Sequence, residues 1–229
     1  MMFESMKGVF ASMGEAFQFY KEHFSKIMLI GLTILFPFGF FLLIVDQFSY
    51  IYPQMSSLYP MVLPVVFSIG QLPLIYISLM FINDEIFETG DMFRFFFKKL
   101  STAYTTSLVF FALVAALEFI SDYLWIIGVF LSISIPYLVI LKEYEPIVCI
   151  TKSVKMGLVK WMQLLILLAS FYLIGLGIKS GLFMGIELLT KGTAPDVFLV
   201  MVQLVIEISL IPFAVFVLTK CYYKWLEKE

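Results

Sequence analysis

Histidine and cysteine are almost missing from this chain, with one His and two Cys among 229 residues. That shortage excludes a His/Cys metal cluster and a disulfide framework. Charge is scarce as well. Only 14% of the residues are Asp, Glu, Lys or Arg, against about 25% in soluble domains. The net charge of −2 decides nothing about nucleic acid, but the Phe/Lys cluster at 90–99 has too few unpaired cations for a basic stripe, so no nucleic-acid partner is expected. The sequence also lacks a phosphate-binding Gly-rich loop, a G-x-S-x-G elbow and an H-E-x-x-H helix. Ser153 in ITKSVKMG has no base near it. The reading is therefore of a non-enzyme with no catalytic residue, cofactor or metal, in which the lone His23 is an interfacial side chain.

Apolar residues make up the deficit. They account for 62% of the chain, 26 of them Phe, and the mean hydropathy is +1.00. A membrane-crossing helix needs about 20 mostly apolar residues. Six stretches meet that need, at about 27–45, 61–82, 103–120, 123–141, 163–188 and 197–219. Their apolar runs are continuous rather than alternating, which predicts helices and not barrel strands. The expected fold is a single all-α membrane domain over 1–229, with six transmembrane helices arranged as three hairpins. Segment 1–26 is expected to be an interfacial helix and 220–229 a tail. The loop DQFSYIYPQMSSLYP, from 46, carries Tyr50, Tyr52 and Tyr59 for headgroup depth.

The cations sort by connection. Lys7, Lys21 and Lys26 precede the first span; Arg94, Lys98 and Lys99 follow the second. Lys142, Lys152, Lys155 and Lys160 follow the fourth, and Lys220, Lys224 and Lys228 the sixth. Only Lys191 falls on the other side, with Lys179 inside a span. By the positive-inside rule both termini are cytoplasmic, in a multi-pass protein of the cell membrane. Cys149 and Cys221 then face a reducing compartment as free thiols. No cleavable leader is expected, because Glu4, Glu15 and Glu22 interrupt the first 26 residues.

GDMFRFFFKKL at 90–100 is amphipathic on a helix, with Asp91, Arg94 and Lys98 on one face. GEAFQFYKEHF at 14–24 repeats it. Phe17, Tyr20 and Phe24 correspond to Phe93, Phe96 and Leu100, and all six are assigned to the membrane interface. A fainter copy starts at Glu145, with Ile147, Ile150 and Val154 in the apolar positions. Each copy opens on an acid, favourable at a helix N-terminus, and precedes an odd-numbered span. Each hairpin is thus expected to follow a cytoplasmic interfacial amphipathic helix.

Polar groups inside the spans are costly and nominate a site. Lys179 and Glu207 lie at similar depth on consecutive antiparallel spans and can pair; Gln203 is one turn from Glu207. Gln71 sits mid-span in SIGQLP, between Pro64 and Pro73. These four residues form the candidate intramembrane polar site, read as a buried ion pair that fixes register, as a substrate or proton site, or with Lys179 snorkelling toward an anionic lipid headgroup. Pro37, Pro136 and Pro212 predict further kinks. Gly177, Gly181 and Gly185 form a small-xxx-small stripe, expected to pack against another helix of the same chain.

LKEYEPIVCITKSVKMGLVKWMQLLILL, at 141–168, has an acid (Glu143 or Glu145), Lys152-Ser153, Gly157 and Trp161 ahead of the fifth span. In this it resembles a group of bacterial six-helix membrane proteins, including the membrane domain fused to some glycerophosphodiester phosphodiesterases. The chain has no room for the phosphodiesterase barrel, so no hydrolase activity carries over. The resemblance implies a bacterial envelope protein of poorly defined role. Its expected partners are membrane lipids, a peptide or another membrane protein. A small transporter built on the intramembrane polar residues is the alternative, and an intramembrane enzyme a distant third.

Overall fold

The computed structural model describes residues 2–55, 58–120, 127, 130, 133–142, 144–190 and 196–227. It is all-helical, with no strand among the described residues. Helix α1 is Met2–Glu22 and α2 is Phe24–Ile30; a π-helical turn, Gly31–Leu35, joins α2 to α3, Phe36–Ile51. Next come α4 (Leu58–Gly70), α5 (Leu72–Ile82), α6 (Thr89–Ile120), α7 (Ile135–Leu141), α8 (Pro146–Thr190) and α9 (Asp196–Leu226).

Among the described residues, four stretches are long and apolar enough to cross a membrane: Phe24–Ile51, Val65–Ile82, Pro146–Thr190 and Met201–Leu226. They contain most of the first, second, fifth and sixth expected spans. The third expected span is the C-terminal part of α6. Part of the fourth lies outside the described residues, and α7 is its last stretch.

Prolines set where several helices begin. Pro37, Pro73 and Pro136 each occupy the first turn of a new helix, α3, α5 and α7. A first-turn N–H has no intrahelical acceptor, so proline costs least there. The first span runs on through the π-helical turn just before Pro37, the second is irregular at Gln71 just before Pro73, and α7 of the fourth begins at Pro136. Pro212 stays inside its helix.

The interfacial helices differ from expectation. Residues 91–100 and 103–120 belong to one continuous helix, α6, of 32 residues, and α8 is continuous for 45 residues. At about 1.5 Å per residue, α8 is roughly 68 Å long, more than twice the ~30 Å hydrocarbon core. No Gly or Pro occurs in KKLSTAYTTS, at 98–107, so nothing ends the helix between the amphipathic and apolar parts. Only the first copy is separate, interrupted at His23.

Packing is uneven along the helices. α5 is buried on nearly every side, and every residue of α7 from Ile135 to Ile140 is buried. They meet α2, α6 and the 215–222 stretch of α9 in one core. By contrast α3 contributes no buried residue. Of the apolar windows within the spans, 61% of the second is buried and 11% of the fifth. The second span is therefore central, and the fifth lies at the edge of the bundle.

Candidate functional site

Helices α8 and α9 run antiparallel, which is visible in matched contacts along their length. Lys160 sits over the Trp225 ring, Phe171 meets Phe213 edge-on, and a Cβ on Gly175 would touch Leu210. That register brings Lys179 level with the 203–207 turn of α9. The Lys179 ammonium donates to Gln203 Oε1 at 2.7 Å and lies 5.6 Å from the Phe183 ring centroid. Both residues are half-buried. A charged donor thus has a neutral amide acceptor and an aromatic face where water is scarce, each of which lowers the cost of the charge. Glu207 is on the following turn of the same helix, and its side chain lies outside the described set.

Gln71 does not join this pair. It occupies the break between α4 and α5, almost fully buried, and Tyr137 Oη donates to its Oε1 at 2.8 Å. The Tyr137 ring stacks on Tyr222 at 4.5 Å, and the Tyr222 hydroxyl shares a 2.6 Å hydrogen bond with Ser134 Oγ. The second, fourth and sixth spans are thereby linked by buried polar groups. The Gln71 Nε2 atom has no protein partner. Tyr137, Tyr222 and Ser134 carry neither a charge nor an amide and so do not stand out among the polar residues of the spans. The available signal was a Tyr just after Pro136, inside a span and away from its aromatic belt.

The Gly stripe is not used within the described monomer. A Cβ added to Gly177, Gly181 or Gly185 would meet nothing within 4 Å. The expected close approach of a helix occurs instead at Gly39, where a Cβ would come within 2.8 Å of Leu204 Cδ1, and at Gly70, 3.3 Å from Phe38.

The residues assigned to the interface are not uniformly exposed, and the repeated segments turn a shared set of neighbouring positions inward. Phe17 and Ile147, equivalent to each other, are 71% and 75% exposed, and Phe24 is also exposed. Phe93, Tyr20 and Leu100 are half-buried, and Phe96 is in the core. The shared inward positions come one, four and five residues after the opening acid. Ala16 and Phe19, Met92 and Phe96, and Cys149 are buried there, with Tyr20, Phe95 and Ile150 half-buried. Phe19 stacks on Phe216 at 4.5 Å and Phe95 on Tyr76 at 4.5 Å.

The N-terminal helix is fastened to α9 by a Glu15–Lys220 ion pair as well as by the Phe19 stack. At its end His23 lies edge-on to Phe19 and Phe81. Burial, and then the Lys26 charge, lower the His23 pKa from 6.5, while Glu22 opposes them. Lys26 donates to the Phe87 carbonyl at 2.9 Å and sits 3.8 Å from that ring's centroid. No group of metal-binding side chains occurs among the described residues. No family model, curated protein or solved structure matches the chain.

Proposed function

We propose that this chain is a six-span protein of a bacterial cell membrane, with both termini cytoplasmic, that works by binding rather than by catalysis. The ligand is a membrane lipid, a peptide or a partner protein embedded in the same bilayer. The observation that carries this reading is the outer half of α8. From Tyr172 to Leu189 it presents an almost continuous exposed apolar face, with Lys179 at its edge held by Gln203. Such a face takes acyl chains or an apolar helix, and a half-buried ammonium adds one polar anchor. The cation distribution supports the orientation. The resemblance of 141–168 to the membrane domain of the phosphodiesterase fusions supports a bacterial envelope role.

The test is native mass spectrometry of protein released from nanodiscs of mixed zwitterionic and anionic lipid. Retained lipid or a co-purifying membrane peptide, reduced in Lys179→Met, agrees with the proposal. Turnover of a lipid or soluble metabolite by the purified protein would overturn it.

A transporter is the second reading, favoured by the helix breaks in the second and fourth spans. Broken helices near mid-membrane, with a polar residue at the break, are how many carriers hold substrate. Uptake by proteoliposomes that fails in Gln71→Leu would favour it over a binding protein.

A further inference from the structure

We infer that the break in the second span is a binding site for one buried water molecule, or a neutral ligand of the same hydrogen-bonding pattern, held by Gln71. Three features of the break converge on this. The Gln71 amide is 99% buried by its 1% relative exposure, and its Nε2 has no protein partner. Turning the amide over only exchanges which of its two polar atoms is left over, because Tyr137 Oη satisfies the other. Pro73 has no N–H, so the carbonyl of Ile69, four residues earlier, receives no helical hydrogen bond from it.

The chemistry at the break is therefore one donor, the Gln71 amide, and two acceptors, the Ile69 carbonyl and the remaining lone pair of Tyr137 Oη. A water accepting once and donating twice is its complement, and buried waters typically make about 3 such bonds. An anion fits poorly. It would face two acceptors with a single donor group, and none of these side chains is charged. A metal ion fits poorly too while Tyr137 Oη donates to Oε1, since the free side-chain group is then an N–H2 donor.

The position gives this site a purpose in the fold. Gly70, next to the amide, is where the first two spans touch: its Cβ would lie 3.3 Å from Phe38 and 3.5 Å from Leu35. Leu35 closes the π-helical turn of the first span. Two helix irregularities are thus in contact, and the water satisfies backbone and side chain where the second span is divided.

The test uses the whole protein in perdeuterated detergent, with the Gln71 side-chain amide assigned by comparison with Gln71→Met. The expected result is a cross-peak between that amide and water in rotating-frame Overhauser spectra, with the sign of a long-lived bound molecule. Pro73→Ala, which supplies an N–H to the Ile69 carbonyl, and Tyr137→Phe, which removes an acceptor, should each lose it. An assigned wild-type amide with no water cross-peak would overturn the inference. So would a cross-peak that persists unchanged in both folded variants, since the partners named would then not hold the water. Should neither variant fold, the wild-type spectrum alone decides.

Discussion

Lys179 and Gln203 show how one residue choice sets the cost of a charge within an apolar stretch. A hydrogen bond to a charged group is worth about 1.5–3 kcal/mol, and Gln203→Leu removes it while leaving the ammonium in place. That variant should lose thermal stability in detergent. Adding Lys179→Met should return part of the loss, since no charge is then left to solvate. If Glu207 is the stronger partner, Lys179→Met with Glu207→Gln will show the rescue and the Gln203 pair will not. Unfolding midpoints of the singles and both doubles separate the two cases. The sequence placed Lys179 and the 203–207 turn at one level because depth in consecutive spans is simple counting. It could not place Gln71, whose partner Tyr137 comes from a span more than sixty residues away. Nor could it show that His23 has its pKa lowered by burial. For a His with a depressed folded-state pKa, the unfolded chain binds the proton first. The stability contribution is complete above the unfolded value of 6.5 and falls as pH drops below it toward the folded pKa. Wild type should therefore lose more stability than His23→Gln between neutral pH and mildly acidic pH. Parallel losses in the two proteins would show that His23 takes no part.

Elements obey a rule that composition states only halfway. The prolines were legible as interruptions, yet whether each bends a helix or starts a new one depends on what its neighbours pack against. Pro73 and Pro136 begin helices sunk in the core. Amphipathic periodicity identified the repeated segments, but a face pattern cannot tell a helix lying on a membrane from one continuing into it. Continuity needs only the absence of a breaker, and residues 98–107 contain none. Glycines make the element-scale prediction. Gly39→Ala must displace the buried Leu204 side chain, and overpacking of this kind costs about 1–3 kcal/mol. Gly181→Ala meets open space and should gain about 0.5–1 kcal/mol from reduced backbone freedom in the unfolded chain. Thermal melts in detergent check both signs. A Gly181→Ala protein that instead loses stability together with a dimer peak on size exclusion would assign the stripe to contact between copies.

At the scale of the whole molecule, burial and charge point to the same end of the bundle. The core gathers α2, α5, α7 and the 215–222 part of α9, whereas α3 and the outer part of α8 are largely exposed to whatever surrounds them. The cations at the packed end are tied into it. Lys26 binds the Phe87 carbonyl, Lys220 pairs with Glu15, and Lys160 lies over Trp225. An end that holds its lysines this way cannot easily be drawn across a bilayer, because each ammonium would have to leave a partner and enter lipid. The packed end should therefore be the cytoplasmic one. Reporter fusions after residue 229 and within 83–88 are expected to register as cytoplasmic, and fusions within 46–57 as external. The two ends cannot exchange sides independently, because Glu15–Lys220 and Phe19–Phe216 hold α1 against α9. An external signal from the C-terminus would then require the N-terminal segment to report outside as well, and the entire bundle would be inverted against its own charge distribution. A split result, with one terminus on each side, would contradict the α1–α9 packing itself, and with it the six-span topology.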